Sequence, residues 1–371
     1  MSSPAIRPDS GEEPAGSAAG PRNGPAMALA LALGAAGGAL FWRLDLPLAW
    51  MLGAMCLTTA AAVVRVPLAM SSRLRSVMVA VLGVMLGSAF SPELLSQAGE
   101  WAVSLSALVP YLLVATLLSL LYFGRVARYD LPTAYYSGVP GGLAQMIVLG
   151  TEQGGDTRAI SLAHATRILL VVMTIPFWFR LTGDAGPATA SLVGRPHLLD
   201  VGLADLGLLA AAAVVGSLLA IRLRLPAATL IGPMIVSAAI HLSGLTASTP
   251  PLEAVAVAQV VLGTAIGCRF AGTRAVTILH AMILAVGALV VLLAVAVFFA
   301  LVVGQVTGLD FDALLLAYAP GGLAEMSLIA LAQNIDPAFV AAHHTLRIAL
   351  VVLLAPLLFR LIARSGRTRG D

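Results

Sequence analysis

Apolar residues gather into long runs separated by short polar stretches. In the first part of the chain the runs cover Ala26–Trp42, Pro47–Val64, Val77–Phe90, Trp101–Gly124, Thr133–Gly150 and Ala159–Leu181. Six more follow: Val201–Leu223, Pro226–His241, Leu252–Phe270, Val276–Val303, residues 313–331 and Phe339–Ile362. A bilayer-crossing helix needs roughly 20 apolar residues, and most of these runs approach that length. The pattern predicts an all-α polytopic membrane protein.

The second set of runs replays the first. Pro140-Gly141-Gly142-Leu143-Ala144-Gln145-Met146 recurs as Pro320-Gly321-Gly322-Leu323-Ala324-Glu325-Met326, an offset of 180 residues. The same offset relates Asp156 to Asp336, His164 to His344, Arg167 to Arg347 and Phe179-Arg180-Leu181 to Phe359-Arg360-Leu361. From residue 140 to 181, 18 of 42 positions are identical to their partners. Shared hydrophobicity explains matching Leu and Val, but not matching Pro-Gly-Gly, Asp, His and Arg, so the chain carries an internal duplication. Gly83-x-x-x-Gly87 and Gly263-x-x-x-Gly267 share the offset, and small residues at that spacing let helices pack closely in lipid.

The predicted organisation is a disordered tail over 1–25, a membrane repeat over 26–181, a Gly/Pro/Asp linker over 182–200, a second membrane repeat over 201–362 and a basic tail over 363–371. Glu12 and Glu13 argue against a signal-peptide n-region, so Ala26–Trp42 reads as an uncleaved first transmembrane helix. A continuous helix through Gly138-Val139-Pro140-Gly141-Gly142 is disfavoured, because Pro costs about 3 kcal/mol and each Gly about 1 kcal/mol in a helix interior. Each Pro-Gly-Gly block should break into two half-helices or a re-entrant hairpin. Asp156 should cap the helix that follows the first block, and Asp336-Pro337 the helix that follows the second.

Composition agrees with the membrane assignment. Hydrophobic residues make up 59% of the chain and charged residues 11%, against about 25% in soluble domains. Every Lys or Arg counted is arginine, and its placement carries topological information. In the first repeat the loops at 65–75 and 125–128 are basic and that at 93–100 is acidic. In the second, loop 243–254 has Glu253 and no Arg, Arg269 and Arg274 stand where the first repeat was acidic, and loop 305–312 has Asp310 and Asp312. Positive loops stay cytoplasmic, so the repeats read as inverted. Each would have five crossings and a re-entrant Pro-Gly-Gly segment, with both termini in the cytoplasm and Arg180 and Arg195 outside. Six plus six crossings in parallel repeats is the alternative.

Inverted repeats with broken helices are a common construction of secondary transporters, with the substrate near the midplane between them. The candidate substrate-binding residues are Pro140, Gly141, Gly142, Gln145, His164 and Arg167 with Pro320, Gly321, Gly322, Glu325, His344 and Arg347. His and Arg three residues apart share a helix face. A membrane-embedded Arg needs a partner, and three roles stay open for each: capping the carbonyls of the break, contacting a ligand, or lying at the interface. Glu325 in place of Gln145 breaks the symmetry and could pair with an Arg, carry a proton or stay neutral. His343 reads as incidental. Cys56 and Cys268 offer neither metal spacing nor a disulfide framework.

The doubled Pro-Gly-Gly-Leu-Ala-(Gln/Glu)-Met block with its downstream His-x-x-Arg-Ile resembles the AbrB family of duplicated bacterial membrane proteins, over about residues 30–365. Its members also carry the labels ammonia monooxygenase and AbrB-family transcriptional regulator, and the name is shared with an unrelated soluble DNA-binding regulator. The resemblance implies a multi-pass inner-membrane protein linked by name to regulation of gene expression. No soluble basic module is present to read DNA directly, and the six histidines form no copper-ligand cluster. The expectation is therefore a non-enzyme without cofactor, whose partners are the lipid bilayer and an unknown small-molecule solute; a homo-oligomer is left open. Two functions remain: a secondary transporter or exporter, or a membrane sensor acting on gene expression through another protein.

Overall fold

The structure is a computed structural model that describes residues 24–90, 98–182 and 195–367. The expected tail up to residue 23, the loop containing Glu93 and most of the 182–200 linker lie outside the described residues. Among the described residues the α-helices are α1 (Gly24–Arg43), α2 (Ala49–Val63), α3 (Ser72–Gly87), α4 (Ala102–Ser106), α5 (Leu108–Arg125), α6 (Leu131–Gly138), α7 (Leu143–Glu152) and α8 (Thr157–Thr182). They continue as α9 (Leu203–Arg222), α10 (Ala228–Leu242), α11 (Leu252–Gly267), α12 (Ala275–Thr307), α13 (Phe311–Tyr318), α14 (Leu323–Ala332) and α15 (Pro337–Arg367). No strand occurs among the described residues. Among the described residues, seven helical stretches are long and apolar enough to cross a membrane: Gly24–Arg43, Gly99–Arg125, Thr157–Thr182, Leu203–Arg222, Leu252–Phe270, Ala275–Thr307 and Pro337–Arg364. The chain is a multi-pass membrane protein.

Element boundaries differ from the sequence expectation in two informative places. α3 begins at Ser72 rather than Val77, because the Ser71 hydroxyl caps it by accepting from the Leu74 N–H at 3.4 Å. α15 continues to Arg367, so the expected basic tail from residue 363 begins as helix. The C-terminal end of a helix is the negative end of its dipole and favours a cation such as Arg364 in the last turns.

Glycines set how closely the helices cross. α1 meets α2 where Gly37 and Gly53 face each other: a Cβ on Gly53 would lie 2.1 Å from the Gly37 carbonyl oxygen. α9 meets α10 in the same way through Gly216 and Gly232, with a Cβ on Gly232 2.0 Å from the Gly216 oxygen. The Gly-x-x-x-Gly helices then cross between the halves of the chain. Gly83 of α3 lies against the Leu230 carbonyl of α10, and Gly263 of α11 against the Met51 carbonyl of α2. α1, α2, α3, α9, α10 and α11 thus interleave into one bundle. α5, α6, α7, α8, α12, α13, α14 and α15 form a second, and the two touch chiefly where α3 meets α14 and α15 and where α8 meets α2 and α11.

The first Pro-Gly-Gly block is a hairpin. The Asp156 N–H, at the start of α8, donates to the Thr133 hydroxyl near the start of α6 at 2.8 Å. A Cβ on Gly150, near the end of α7, would meet both Tyr136 of α6 and Ile160 of α8. α6 therefore runs in beside α8, and α7 returns to the end from which α6 started. At the far end of α8, Arg180 pairs with Asp45 in the turn between α1 and α2 at 3.7 Å. In the second half, Thr246 beyond α10 donates to Asp205 at the start of α9 at 2.7 Å, and His197 meets Glu253 at the start of α11 at 2.9 Å.

Candidate functional site

Both helix breaks follow from what proline withholds. In α6, the carbonyl of Tyr136 would ordinarily accept from the N–H of residue 140, which is Pro140 and has none. The Nε2 of His164 takes that carbonyl at 2.7 Å. Arg167 donates from Nη1 to the Val139 carbonyl at 3.1 Å and from Nη2 to the Gly141 carbonyl at 3.2 Å. Its Nη2 also lies 3.0 Å from His164 Nδ1. The permanently protonated guanidinium can only donate, so Nδ1 accepts, Nε2 carries the proton, and His164 is a neutral imidazole of fixed tautomer.

The second break repeats each contact 180 residues on. His344 Nε2 takes the Leu316 carbonyl at 2.9 Å, the donor withheld there being Pro320. Arg347 donates to the carbonyls of Ala319 at 2.5 Å and Gly321 at 2.6 Å, and to His344 Nδ1 at 3.0 Å. All four side chains are buried. Of the three roles open to the arginines, the carbonyl contacts are those of a cap. Each cation sits at the C-terminal, negative end of a half-helix (α6 or α13), and that dipole offsets its charge. The Nε of each arginine has no partner among the described residues.

The other side of each break is open. α7 starts after Gly142 and α14 after Gly322, and neither N-cap makes a side-chain hydrogen bond. Gln145 and Glu325 fold back over these glycines: a Cβ on Gly142 would lie within 2.3 Å of Gln145 Oε1, and one on Gly322 within 2.0 Å of Glu325 Oε2. Glycine is required at both positions for this close return. The first-turn N–H groups of α7 and α14 thus point away from the clamped carbonyls, and such ends attract negative charge. The expected caps of the following helices are present: Asp156 accepts from the Arg158 and Ala159 N–H groups, and Asp336 from that of Ala338.

The two hairpins differ in surroundings. α14 is buried over nearly its whole length, with Glu325 only 7% exposed. Ala144 and Val148 of α7 are exposed. The sequence reading also missed residues here. His343 is not incidental: it bonds to the Phe339 carbonyl at 2.8 Å and to the Ser104 hydroxyl at 2.9 Å, fixing α15 to α4. Tyr111 donates to the Tyr318 carbonyl at 2.6 Å, and Tyr318 to the Ser104 carbonyl at 2.7 Å, tying the second hairpin to the first half. Nothing in the spacing of these residues signals such long-range bonds. Arg269, just beyond α11, lies within electrostatic range of both Glu325 and His164. It was legible in principle, because its partner at offset 180 is Ala89.

Residues 50–363, which include both clamps and both hairpins, match the family described as "Transition state regulatory protein AbrB". The chain belongs to the AbrB family. One similar relative is "Uncharacterized protein YhjN" of Bacillus subtilis (strain 168), 28% identical over 359 residues, covering 91% of this chain and 93% of the relative. Another is "Putative regulator AbrB" of Escherichia coli (strain K12), 29% identical over 300 residues, 78% of this chain and 83% of the relative. No group of three or more His, Cys, Asp or Glu side chains is gathered as a metal site among the described residues of this AbrB-family chain.

Proposed function

We propose that this AbrB-family protein is a secondary transporter of a small anionic solute in the cytoplasmic membrane, built from two inverted repeats, with its site between the two hairpin tips. The observation that carries the proposal is the pair of helix breaks whose carbonyl ends are clamped by His and Arg and whose N–H ends are left open. Backbone of this kind persists at membrane depth only inside protein or beside a water-filled cavity. Arg167 lies 11 residues beyond Asp156, about 16 Å along α8 at 1.5 Å per residue, which is half of a hydrocarbon core of about 30 Å. The clamped break is therefore near the midplane.

Inversion is supported by the contacts at the helix ends. If the first hairpin is re-entrant, α8 ends on the side of the α1–α2 turn, where Arg180 meets Asp45. α9 then starts on that side, and Thr246 at Asp205 brings the α10–α11 loop there. Its counterpart after α2 lies on the opposite side. The arginines of loops 65–75 and 125–128, with Arg222, Arg224, Arg274 and Arg364, then share the cytoplasmic side. The unequal burial of α7 and α14 is what one state of an alternating-access carrier would show.

An untargeted metabolite comparison between deletion and overexpression strains should identify candidate solutes, and purified protein in proteoliposomes should then move them. Absence of flux for every solute that changes would overturn the proposal. The name of the Escherichia coli relative favours a second reading, a membrane regulator without direct DNA binding. Altered transcription in a deletion strain with no flux by the purified protein would support that reading instead.

A further inference from the structure

The repeats differ in charge at two places on the same face of the site. Gln145 becomes Glu325, and Ala89 becomes Arg269. One half carries neither charge and the other carries both. Glu325 is the acidic residue among the buried charged side chains described, and it has no hydrogen bond or ion pair among the described residues. Its carboxylate lies in the first turn of α14, folded over Gly322. Arg269 is within electrostatic range but makes no ion pair with it. A topogenic role alone does not require Arg269 to be partly buried, and exposed Arg274 already supplies that charge.

We propose that Glu325 is the proton-binding carboxyl of the central site and Arg269 the fixed cation it answers to. Its role in coupling rests on the transport reading above. When Glu325 is ionised, its charge is balanced by Arg269 and by the N-terminal end of α14. When it takes up a proton, the acid is neutral and Arg269 is free to hold the anionic group of a solute. Proton and anion then enter together, and the net charge of the loaded site equals that of the empty one. An isolated ion at this depth carries a desolvation cost of several kcal/mol, so loading without change of net charge is the less costly route.

The other buried charged and titratable groups on elements packed against α14 are already committed to other partners. Arg347, His344 and His343 on α15 and Arg167 and His164 on α8 are bonded as described. The Tyr318 hydroxyl, at the end of α13, donates to the Ser104 carbonyl. Arg73 and Arg75 of α3 supply further positive charge on that side, with Arg75 in electrostatic range of Arg269.

The test is infrared difference spectroscopy of the purified full chain, titrated across pH, with dicyclohexylcarbodiimide labelling mapped by mass spectrometry. Wild type should show the C=O stretch of a protonated carboxylic acid that disappears as pH rises, and the carbodiimide adduct should map to Glu325. Glu325→Gln, which places at this position the residue the other hairpin already tolerates, should lose both. Arg269→Ala should retain the band and carry its disappearance to higher pH. Should Glu325→Gln misfold, Arg269→Ala and wild-type labelling still decide. A band unchanged in Glu325→Gln, an adduct elsewhere, or an Arg269→Ala titration identical to wild type would overturn the proposal. Band and adduct at Glu325 without solute flux would leave the proton site standing and remove the transport reading.

Discussion

At the scale of single residues, the clamps make the sharpest statements. Arg167 and Arg347 each bond two carbonyls and one imidazole. A hydrogen bond to a charged group contributes about 1.5–3 kcal/mol, and breaking a buried ionic network costs about 3–5 kcal/mol. Arg167→Gln and Arg347→Gln should therefore each lower the thermal midpoint of the detergent-solubilised protein by several degrees. The Lys variants should also be destabilised, since an ammonium lacks the planar fork that reaches both carbonyls. Equal midpoints in differential scanning fluorimetry would remove the clamp role. A second residue-scale prediction concerns His197 outside the membrane, whose ordinary value of 6.5 is raised by its hydrogen bond to Glu253. Because its folded-state value is raised, the stabilisation is complete below 6.5 and is lost as pH climbs through the raised value. Protection of the Leu198 amide, which Glu253 also accepts at 3.0 Å, should fall over that window, and His197→Gln should flatten the pH dependence in hydrogen exchange. The clamp residues were legible as candidates because polar identities recurred at a fixed offset in apolar sequence. Which atoms they touch was not, because an arginine three residues after a histidine has the same spacing whether it caps a carbonyl or holds a ligand.

At the scale of elements, glycine governs the crossings. A Cβ on Gly53 or Gly232 would fall about 2 Å from a neighbouring carbonyl oxygen, a separation that backbone movement alone can relieve. Gly53→Val and Gly232→Val should sharply reduce the yield of folded protein in size-exclusion profiles. Gly207 in α9 has nothing within 4 Å of an added Cβ, so Gly207→Ala should be neutral or gain up to about 1 kcal/mol from helix propensity. Comparable losses at all three positions would refute the close-crossing account. The Gly-x-x-x-Gly spacing announced close packing in the sequence. It did not announce that α3 packs on α10 and α11 on α2, because spacing on one helix carries no address for its partner.

At the scale of the whole molecule, the proposed inversion predicts labelling patterns. Single cysteines replacing Ala69 and Thr249, in a background without Cys56 and Cys268, should react with a membrane-impermeant maleimide from opposite sides. Cysteines replacing Asp130 and Gly154, at the two ends of the first hairpin, should react from the same side. Labelling of Ala69→Cys and Thr249→Cys from one side would favour parallel repeats. Opposite labelling of Asp130→Cys and Gly154→Cys would make the Pro-Gly-Gly block a crossing segment.

The sequence alone determined the membrane class, the positions of the apolar helices, the recurrence of polar residues at an offset of 180 and the two breaks. Each of these depends on local chemistry: the length of apolar runs, the missing N–H of proline, the short side chains of glycine and the recurrence of rare polar residues. Tertiary structure decided that the breaks are hairpins, that histidine replaces the donor proline withholds, and that the first three helices of each half interleave into one bundle. It also brought Arg269 towards Glu325. These outcomes depend on which distant segment meets which, and they are set by close packing of helices whose individual faces are almost uniformly apolar.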